Sequence, residues 1–383
     1  LEATNLIARE VVALMHGNVE CDARHYAPLE WVKGNTMLAD WANPPGYTDQ
    51  PGSGTPLPRA RTDWQDDRAP IPCACVTVKA LLLIGATDRV TDGNYLRLHN
   101  ALLARGHEVH LGHTAGLGLS SNRVTAPTWQ PITPLLDGEP FDAFTHRDIE
   151  DFDLVWVLAL GLRQNFLDTV QLLYNLETRT RVINSTQALM YLKSKYLLAD
   201  HPEVFHYPET HAGTDAAELF GIMQRNGGNW IVKPPAGSLG RDVYLLTADD
   251  PNARVVLDTM TGHGEGRYCL LQRWVPEIAS GEKRVLIAGG KPVAQYLRTA
   301  QTDHRTNVLA GAAAEACELT AEEHAYCTRI GTFLTGMGAS YVGLDLAFPW
   351  VIEFNVINPG GLTTLWELEG RDYADDVLAA LDV

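Results

Sequence analysis

No run of about 18 apolar residues free of charge occurs in the chain, so no membrane-spanning helix is expected. Basic residues are scarce as well. Lys plus Arg number 30 against 47 Asp plus Glu, a formal net charge of −17. That excess repels phosphate backbones and argues against a nucleic-acid partner, although a small basic pocket for a nucleotide stays open. Six cysteines in 383 residues are too few for a disulfide framework, and reduced thiols in a cytoplasmic protein are expected. Cys73-x-Cys75 is half of a metal site without a second pair. Cys269, Cys317 and Cys327 lack the His/Asn pattern of a thiol nucleophile. A Gly-x-Ser-x-Gly elbow, a His-Glu-x-x-His pair, a Walker A loop and a Gly-x-Gly-x-x-Gly after a strand are all missing. Glu2 and Arg9 interrupt the first apolar stretch and no Ala-x-Ala-like site follows, so no signal peptide is expected.

The length of 383 residues suits two to three domains and a core that needs no disulfide or metal. Residues 1–77 read as an irregular extension. Pro, Gly, Asp and Arg crowd the stretch from Asn43 to Cys73 and deny it long helices, while Trp31, Trp41 and Trp64 favour packing. Regular structure begins near Val78. Val78–Ile84 is a strand buried on both faces, and Tyr95, Leu98 and Leu102 mark a helix that Gly106 ends. Strands at 109–111 and 154–160, a helix through Phe166, Val170 and Leu173, and a strand at 181–184 complete a βαβ rhythm. Residues 78–190 are therefore expected to form an open parallel α/β domain.

Beyond Ser185 a helix should carry Leu189, Leu192 and Tyr196 on one face. Strand patterns then dominate at 230–234, 243–246, 268–275, 284–288 and 292–297. Gly289-Gly290 is a hairpin turn signal, and Thr320-x-x-Glu323 a capping box. Two further strands, 341–348 and 350–356, imply a mostly antiparallel sheet.

Chemistry concentrates in this second half. With a turn centred on Pro349, Asp345 and Glu353 face each other across two strands, and Asn355 shares the face of Glu353. Facing carboxylates repel, so a cation is expected between them. Two carboxylates and an amide suit Mg²⁺ bridged to phosphates; a solvated hairpin face is the plain alternative. Lys233 ends an apolar strand ahead of the loop Gly237-Ser238-Leu239-Gly240, which fits either a phosphate cradle or an ordinary turn. Arg284, Arg298 and Arg305 lie on or just after strands, placed to hold a carboxylate or a developing oxyanion, or else to form surface ion pairs. His304 beside them is not expected to be catalytic.

In order along the chain, these pieces resemble the bacterial glutathione synthetases of the ATP-grasp superfamily. The likeness is carried by Val182-Ile183-Asn184 with Lys195, by Ile231-Val232-Lys233-Pro234, and by Gln272-Arg273-Trp274-Val275-Pro276-Glu277-Ile278. It continues through Gly281-Glu282-Lys283-Arg284-Val285-Leu286, Arg305-Thr306-Asn307-Val308-Leu309-Ala310-Gly311 and Gly343-Leu344-Asp345, and closes on Glu353-Phe354-Asn355-Val356-Ile357-Asn358-Pro359. The resemblance implies an α/β chain with an open parallel preATP-grasp domain at 78–190. A mixed or antiparallel ATP-grasp domain would follow at 191–383, with a lid at about 199–275.

It also implies an ADP-forming C–N ligase of the cytoplasm that uses ATP with Mg²⁺ or Mn²⁺ on small amino-acid or peptide substrates, with self-association. In that reading Lys195 and Lys233 hold phosphates under the loop with Gly237, Ser238 and Gly240. Gln272, Arg273, Trp274 and Val275 line the adenine pocket by backbone contacts, and Glu282 meets the ribose where the family usually has Asp. Asp345, Glu353 and Asn355 hold the metal, Arg284 faces the transferred phosphoryl group, and Arg298, Arg305 and Asn307 face substrates. The first substrate pair implied is γ-glutamylcysteine plus glycine. Three departures point elsewhere. Asn358-Pro359-Gly360-Gly361 replaces the usual Ser-Pro-Thr and offers backbone N–H groups in place of hydroxyls; the glycine loop is sparse; and residues 1–77 have no counterpart. A ligase for another amino-acid or peptide pair, or an ATP-binding regulatory protein without catalysis, are the alternatives.

Overall fold

The computed structural model describes residues 77–237, 240–300 and 312–383. These residues belong to the compact unit Pro70–Val383. The expected N-terminal extension, apart from Thr77, lies outside the described residues, as do Cys73, Cys75, Ser238, His304, Arg305 and Asn307.

Three sheets follow one another along the chain. The first holds β1 (Lys79–Ile84), β2 (Glu108–His113), β3 (Gly118–Ser120), β4 (Arg123–Trp129), β5 (Thr145–Asp148), β6 (Leu154–Val157) and β7 (Arg181–Ile183). Its central strands run parallel in the order β2-β1-β6-β7. Helix α1 (Gly93–Ala104) crosses from β1 to β2, and α2 (Phe166–Glu177) from β6 to β7. Alternate residues of β1 enter different cores, Ala80, Leu82 and Ile84 on one face and Leu81 and Leu83 on the other, which is why the strand reads as an unbroken apolar run. The β3-β4-β5 group adds an antiparallel edge beside β2 that the sequence pattern did not announce.

The single helix expected after Ser185 is two short ones, α3 (Thr186–Tyr191) and α4 (Tyr196–Asp200). Leu189 and Leu192 are buried as expected, but Tyr196 is 42% exposed. The break has a cause in hydrogen bonding. It frees the Lys195 backbone N–H to donate to Pro235 O at 3.2 Å instead of to a carbonyl of its own helix.

The second sheet is antiparallel, ordered β10-β9-β11-β8, from β8 (Thr210–Gly213), β9 (Trp230–Lys233), β10 (Tyr244–Leu246) and β11 (Cys269–Arg273). Helices α5 (Ala216–Asn226) and α6 (Ala253–Thr261) supply Leu219, Phe220, Met223 and Leu257 to its core with Trp230, Val232 and Leu271. The third sheet, also antiparallel, is ordered β14-β13-β12-β15-β16. Its strands are β12 (Glu282–Ala288), β13 (Lys291–Thr299), β14 (Ala313–Ala316), β15 (Tyr341–Ala347) and β16 (Trp350–Asn355). Gly289 and Gly290 join β12 to β13 with φ of +54° and +81°, the left-handed pair a two-residue hairpin requires.

One face of the third sheet packs on α7 (Ala321–Gly336), whose N-terminus carries the expected Thr320–Glu323 capping box. The other face is divided. Leu286, Ala288, Ala294, Tyr296 and Tyr341 join the core of the first sheet together with α8 (Leu362–Glu369) and α9 (Ala374–Ala380). The remainder of that face is charged. Asn184, at the end of β7, ties the two sheets together. Its Nδ2 donates to Tyr341 O at 2.7 Å and Val356 O at 2.8 Å, while its Oδ1 accepts from Tyr341 N at 2.8 Å.

Candidate active site

Strand pleat and register build a row of charges across the third sheet. Glu282 and Arg284 stand two apart on β12 and so share a face. Glu282 pairs in register with Arg298, Arg284 with Asp345, and Asp345 with Glu353. Asn355 lies two residues beyond Glu353, opposite Gly343. Side-chain cations flank the facing carboxylates. Arg284 grips Asp345 bidentately, Nε to Oδ1 at 2.6 Å and Nη2 to Oδ2 at 3.1 Å. Arg298 Nη2 reaches Asp345 Oδ1 at 2.8 Å and also donates to Glu282. All four groups are buried. Burial alone would drive both guanidinium groups toward neutrality; for Arg284 the charge of Asp345, and for Arg298 those of Asp345 and Glu282, raise the pKa instead.

Two lysines face this row from across the cleft. Lys233, the last residue of β9, is buried, and its ammonium donates to Gln272 Oε1 at 2.7 Å. Gln272 Nε2 in turn donates to Thr210 Oγ1 at 3.0 Å, so the amide is held with its oxygen toward the lysine. Burial and the neighbouring Lys195 push the Lys233 ammonium down to about 8. Lys195 Nζ lies 3.2 Å from Glu353 Oε2 and 3.4 Å from Gly237 O. Burial works to raise the Glu353 carboxyl, yet Lys195 and Lys233 together hold it well below the usual carboxylate range.

Around these charges is a cleft open to solvent. Ile231, Val243, Ile278 and Ile352 give it apolar walls, and Lys195, Lys233, Glu282, Asp345 and Glu353 give it converging polar groups. Apolar walls with converging polar and charged groups are the form of a small-molecule site. Gly237, Gly240, Gln272, Arg273, Trp274 and Val275 also line it. The Arg273 guanidinium is committed to the fold: it stacks 3.8 Å from the Trp230 ring centre and bonds Glu209 Oε2 at 2.9 Å. Burial pushes the Cys269 and Cys327 thiols up to about 12, which suits core residues and not nucleophiles.

In the turn after β16 the Asn358 side chain is engaged by the start of α1. Its Nδ2 donates to Asp92 Oδ2 at 2.7 Å, and its Oδ1 accepts from Asn94 Nδ2 at 3.0 Å. Gly360 contributes a carbonyl that accepts from Arg284 Nη1 at 2.9 Å, and Gly361 packs on Tyr296. Asp92 and Asn94, at the start of α1, are neighbours of this turn that no sequence pattern marks, because more than 260 residues separate them from Asn358.

The donor chemistry fits a hard divalent cation. Asp345, Glu353 and Asn355 bring oxygens to adjacent strands on one face. No cluster of three or more His, Cys, Asp or Glu with metal-binding geometry occurs among the described residues. So sparse a protein set suits an ion that keeps water and phosphate as its remaining ligands.

Comparison with known proteins assigns the family. Residues 194–370 match the family model of the prokaryotic glutathione synthetase ATP-grasp domain. A glutathione synthetase from Photorhabdus laumondii is 36% identical over 185 residues, covering 48% of this chain and 57% of the relative. One from Citrobacter rodentium is 31% identical over 282 residues, 70% of this chain and 84% of the relative. Among solved structures, the RimK domain ATP-grasp protein of Sphaerobacter thermophilus superposes with a TM-score of 0.54 at 20% identity, covering 79% of this chain and 98% of the other. At that identity the superposition speaks for the fold. None of the described helices is long and apolar enough to cross a membrane. The family match covers the segment from Lys195 through Gly361 in which every described site residue lies, and the chain belongs to the prokaryotic glutathione synthetase family of ATP-grasp, ADP-forming C–N ligases.

Proposed function

We propose that the protein joins a carboxylate to an amine through an acyl phosphate, with γ-glutamylcysteine and glycine as the first pair to test. The observation that carries this reading is the pairing of Lys195 with Glu353 beside the buried Lys233 in a cleft with apolar walls. Two ammonium groups there suit a polyphosphate, and the walls of Ile231, Val243, Ile278 and Ile352 suit a purine.

In this reading a substrate carboxylate oxygen bonds to the γ-phosphorus of ATP as the bond to the β,γ-bridging oxygen breaks, and ADP leaves. The amine nitrogen then bonds to the acyl carbon, phosphate leaves with the former carboxylate oxygen, and the nitrogen loses a proton. Such chemistry asks for positioning and charge stabilisation and not for a protein nucleophile. Lys195 and Lys233 hold the phosphates, with Gly237 and Gly240 on the loop beside them. Gln272 orients Lys233; Trp274 and Val275 border the base, with Glu282 nearer the sugar. Arg284 faces the phosphoryl group in flight, and Arg298 orients Asp345. Asp345, Glu353 and Asn355 would hold Mg²⁺ or Mn²⁺, which when bound neutralises phosphate oxygens.

A second reading, ligation of another amino-acid or peptide pair, is favoured by one feature. Asn358 stands where the family usually has Ser, and its amide is consumed by Asp92 and Asn94. The test is release of ADP and phosphate from ATP and Mg²⁺ with γ-glutamylcysteine and glycine, set beside a panel of other acyl and amine pairs. Turnover with the first pair supports glutathione synthesis, and turnover only with another pair supports the second reading. Tight ATP binding without turnover on any pair would leave a nucleotide-binding protein and overturn both.

A further inference from the structure

We infer that Asp92 and Asn94, from the first sheet's helix α1, are positioning residues for Arg284 in the third sheet. They act through the turn Asn358–Gly361. This rests on the ligase reading only in assigning Arg284 to the γ-phosphate.

The linkage is a continuous set of hydrogen bonds. Asp92 caps α1, its Oδ1 accepting from Asn94 N at 2.8 Å, which leaves Oδ2 for the Asn358 amide at 2.7 Å. Asn94 Nδ2 closes the other side, donating to Asn358 Oδ1 at 3.0 Å and to Pro359 O at 2.9 Å. Both faces of the Asn358 amide are thus fixed, and Asn358 sits at φ +42°, a conformation Asn tolerates better than most residues. Two residues on, the Gly360 carbonyl accepts from Arg284 Nη1 at 2.9 Å. Asp345 takes the other edge of the same guanidinium through Nε and Nη2. The plane of Arg284 is therefore set from two sides, by a carboxylate in its own sheet and by a turn that α1 holds.

Close packing makes this bracket stiff. A Cβ on Gly93 would come within 1.7 Å of Thr363 Oγ1, and one on Gly343 within 2.8 Å of the Pro359 Cβ. A side chain on Gly93 must displace that of Thr363 on α8, and one on Gly343 must displace Pro359 of the turn. A guanidinium that must meet a phosphoryl group in flight gains from such preorganisation, because a misplacement of about 1 Å can cost about 100-fold in rate.

The test reads the γ-phosphate directly and does not need turnover. Dissociation constants for ADP and for AMP-PNP are measured in Mg²⁺ buffer, and their ratio reports what the γ-phosphate contributes. Asp92→Ala and Asn358→Ala should each shrink that ratio at least fivefold with ADP affinity unchanged. Asp92→Asn keeps an oxygen for the α1 cap but sets an NH2 donor against the Asn358 Nδ2 donor, so it should shrink the ratio as Asp92→Ala does. In an Arg284→Gln background Asp92→Ala should change the ratio no further. An unchanged ratio in Asp92→Ala would overturn the inference. So would a parallel loss of ADP affinity, which marks a general structural defect, or an undiminished effect in the Arg284→Gln background. Absence of phosphate release by the wild-type protein on any substrate pair would count against the ligase reading, not against this linkage.

Discussion

Asp345 and Glu353 stand directly opposite each other across β15 and β16, and each carboxylate is held by its own cation. Arg284 and Arg298 hold the first, and Lys195 the second. The arrangement turns a repulsive pair into an alternating row in which no charge is buried alone. It also makes the two acids unequal. The Asp345 side chain is 2% exposed with two guanidinium partners, whereas that of Glu353 is 21% exposed with one ammonium.

Neutralising the two acids should therefore have different structural costs. Asp345→Asn leaves two buried arginines short of a counter-charge and should lower stability by about 3–5 kcal/mol. Glu353→Gln should cost clearly less. Both should cut turnover by about 100-fold or more if they serve the phosphates and metal. Urea unfolding with parallel phosphate-release assays separates the two effects, and an Asp345→Asn protein as stable as wild type would contradict the buried row.

With Lys233 holding phosphate, nucleotide binding should be pH-dependent near neutrality. Its ammonium, pushed down to about 8, is charged below that pH and neutral above it. If the charged form holds phosphate, ATP affinity should be level below pH about 7. Above pH about 8 it should weaken by up to about tenfold per unit. Lys233→Arg, whose guanidinium does not titrate there, should flatten this limb. Calorimetric ATP titrations from pH 6.5 to pH 9.5 check it (a range chosen to be roughly symmetric about that value), and a limb that survives in Lys233→Arg would assign the proton elsewhere.

Much of this row was readable before any coordinates because it rests on local rules. Pro349 placed the turn that sets Asp345 against Glu353, and Gly289-Gly290 announced the β12–β13 hairpin, but not the register shift at Leu286/Ile287 that brings Arg298 opposite Glu282. Thr320 and Glu323 announced their helix by their spacing. What escaped depends on contacts far apart in sequence or on weak patterns. Strands β3 and β5 are short and mostly exposed, so no apolar run marks them. The break before Lys195 follows from a bond to Pro235, and the commitment of Asn358 from Asp92, which no periodicity encodes. Arg298 looked like a substrate ligand because nothing short of the strand register places it on Asp345.

Acid should destabilise the fold in two steps. His99, His107, His110 and His113 all have pKa values lowered by burial. The unfolded chain takes up protons as pH falls below about 6.5 while the folded chain does not, so stability drops in that window. Glu353 is the opposite kind of group with the same consequence. Its lowered pKa contributes stability above the ordinary carboxylate pKa, and that contribution is lost as pH falls further, through its folded value. Thermal midpoints should decline from pH 7.5 to pH 5.5 and more steeply below about 4.5. A midpoint that is level between the first two values would show that these histidines are not buried neutral.

Gly343 offers the sharpest steric test of the site. It lies on β15 between Arg284 and the Asn358–Gly361 turn, in an ordinary strand conformation, so Ala there carries no backbone penalty. What it meets is space already taken. The new Cβ would fall 2.8 Å from the Pro359 Cβ and 3.2 Å from Arg284 Nη1. The turn must retreat, and the bond from Arg284 to Gly360 O lengthens with it. Gly343→Ala should then cost about 1–3 kcal/mol of stability from overpacking. Turnover should fall about 10-fold to 100-fold from the displaced guanidinium. Gly370→Ala is the contrast, since nothing lies within 4 Å of a Cβ there although its φ is +68°. That variant should lose stability through backbone strain alone and keep full activity per folded molecule. Equal activity losses in the two variants would mean that the space beside Arg284 has no part in the chemistry.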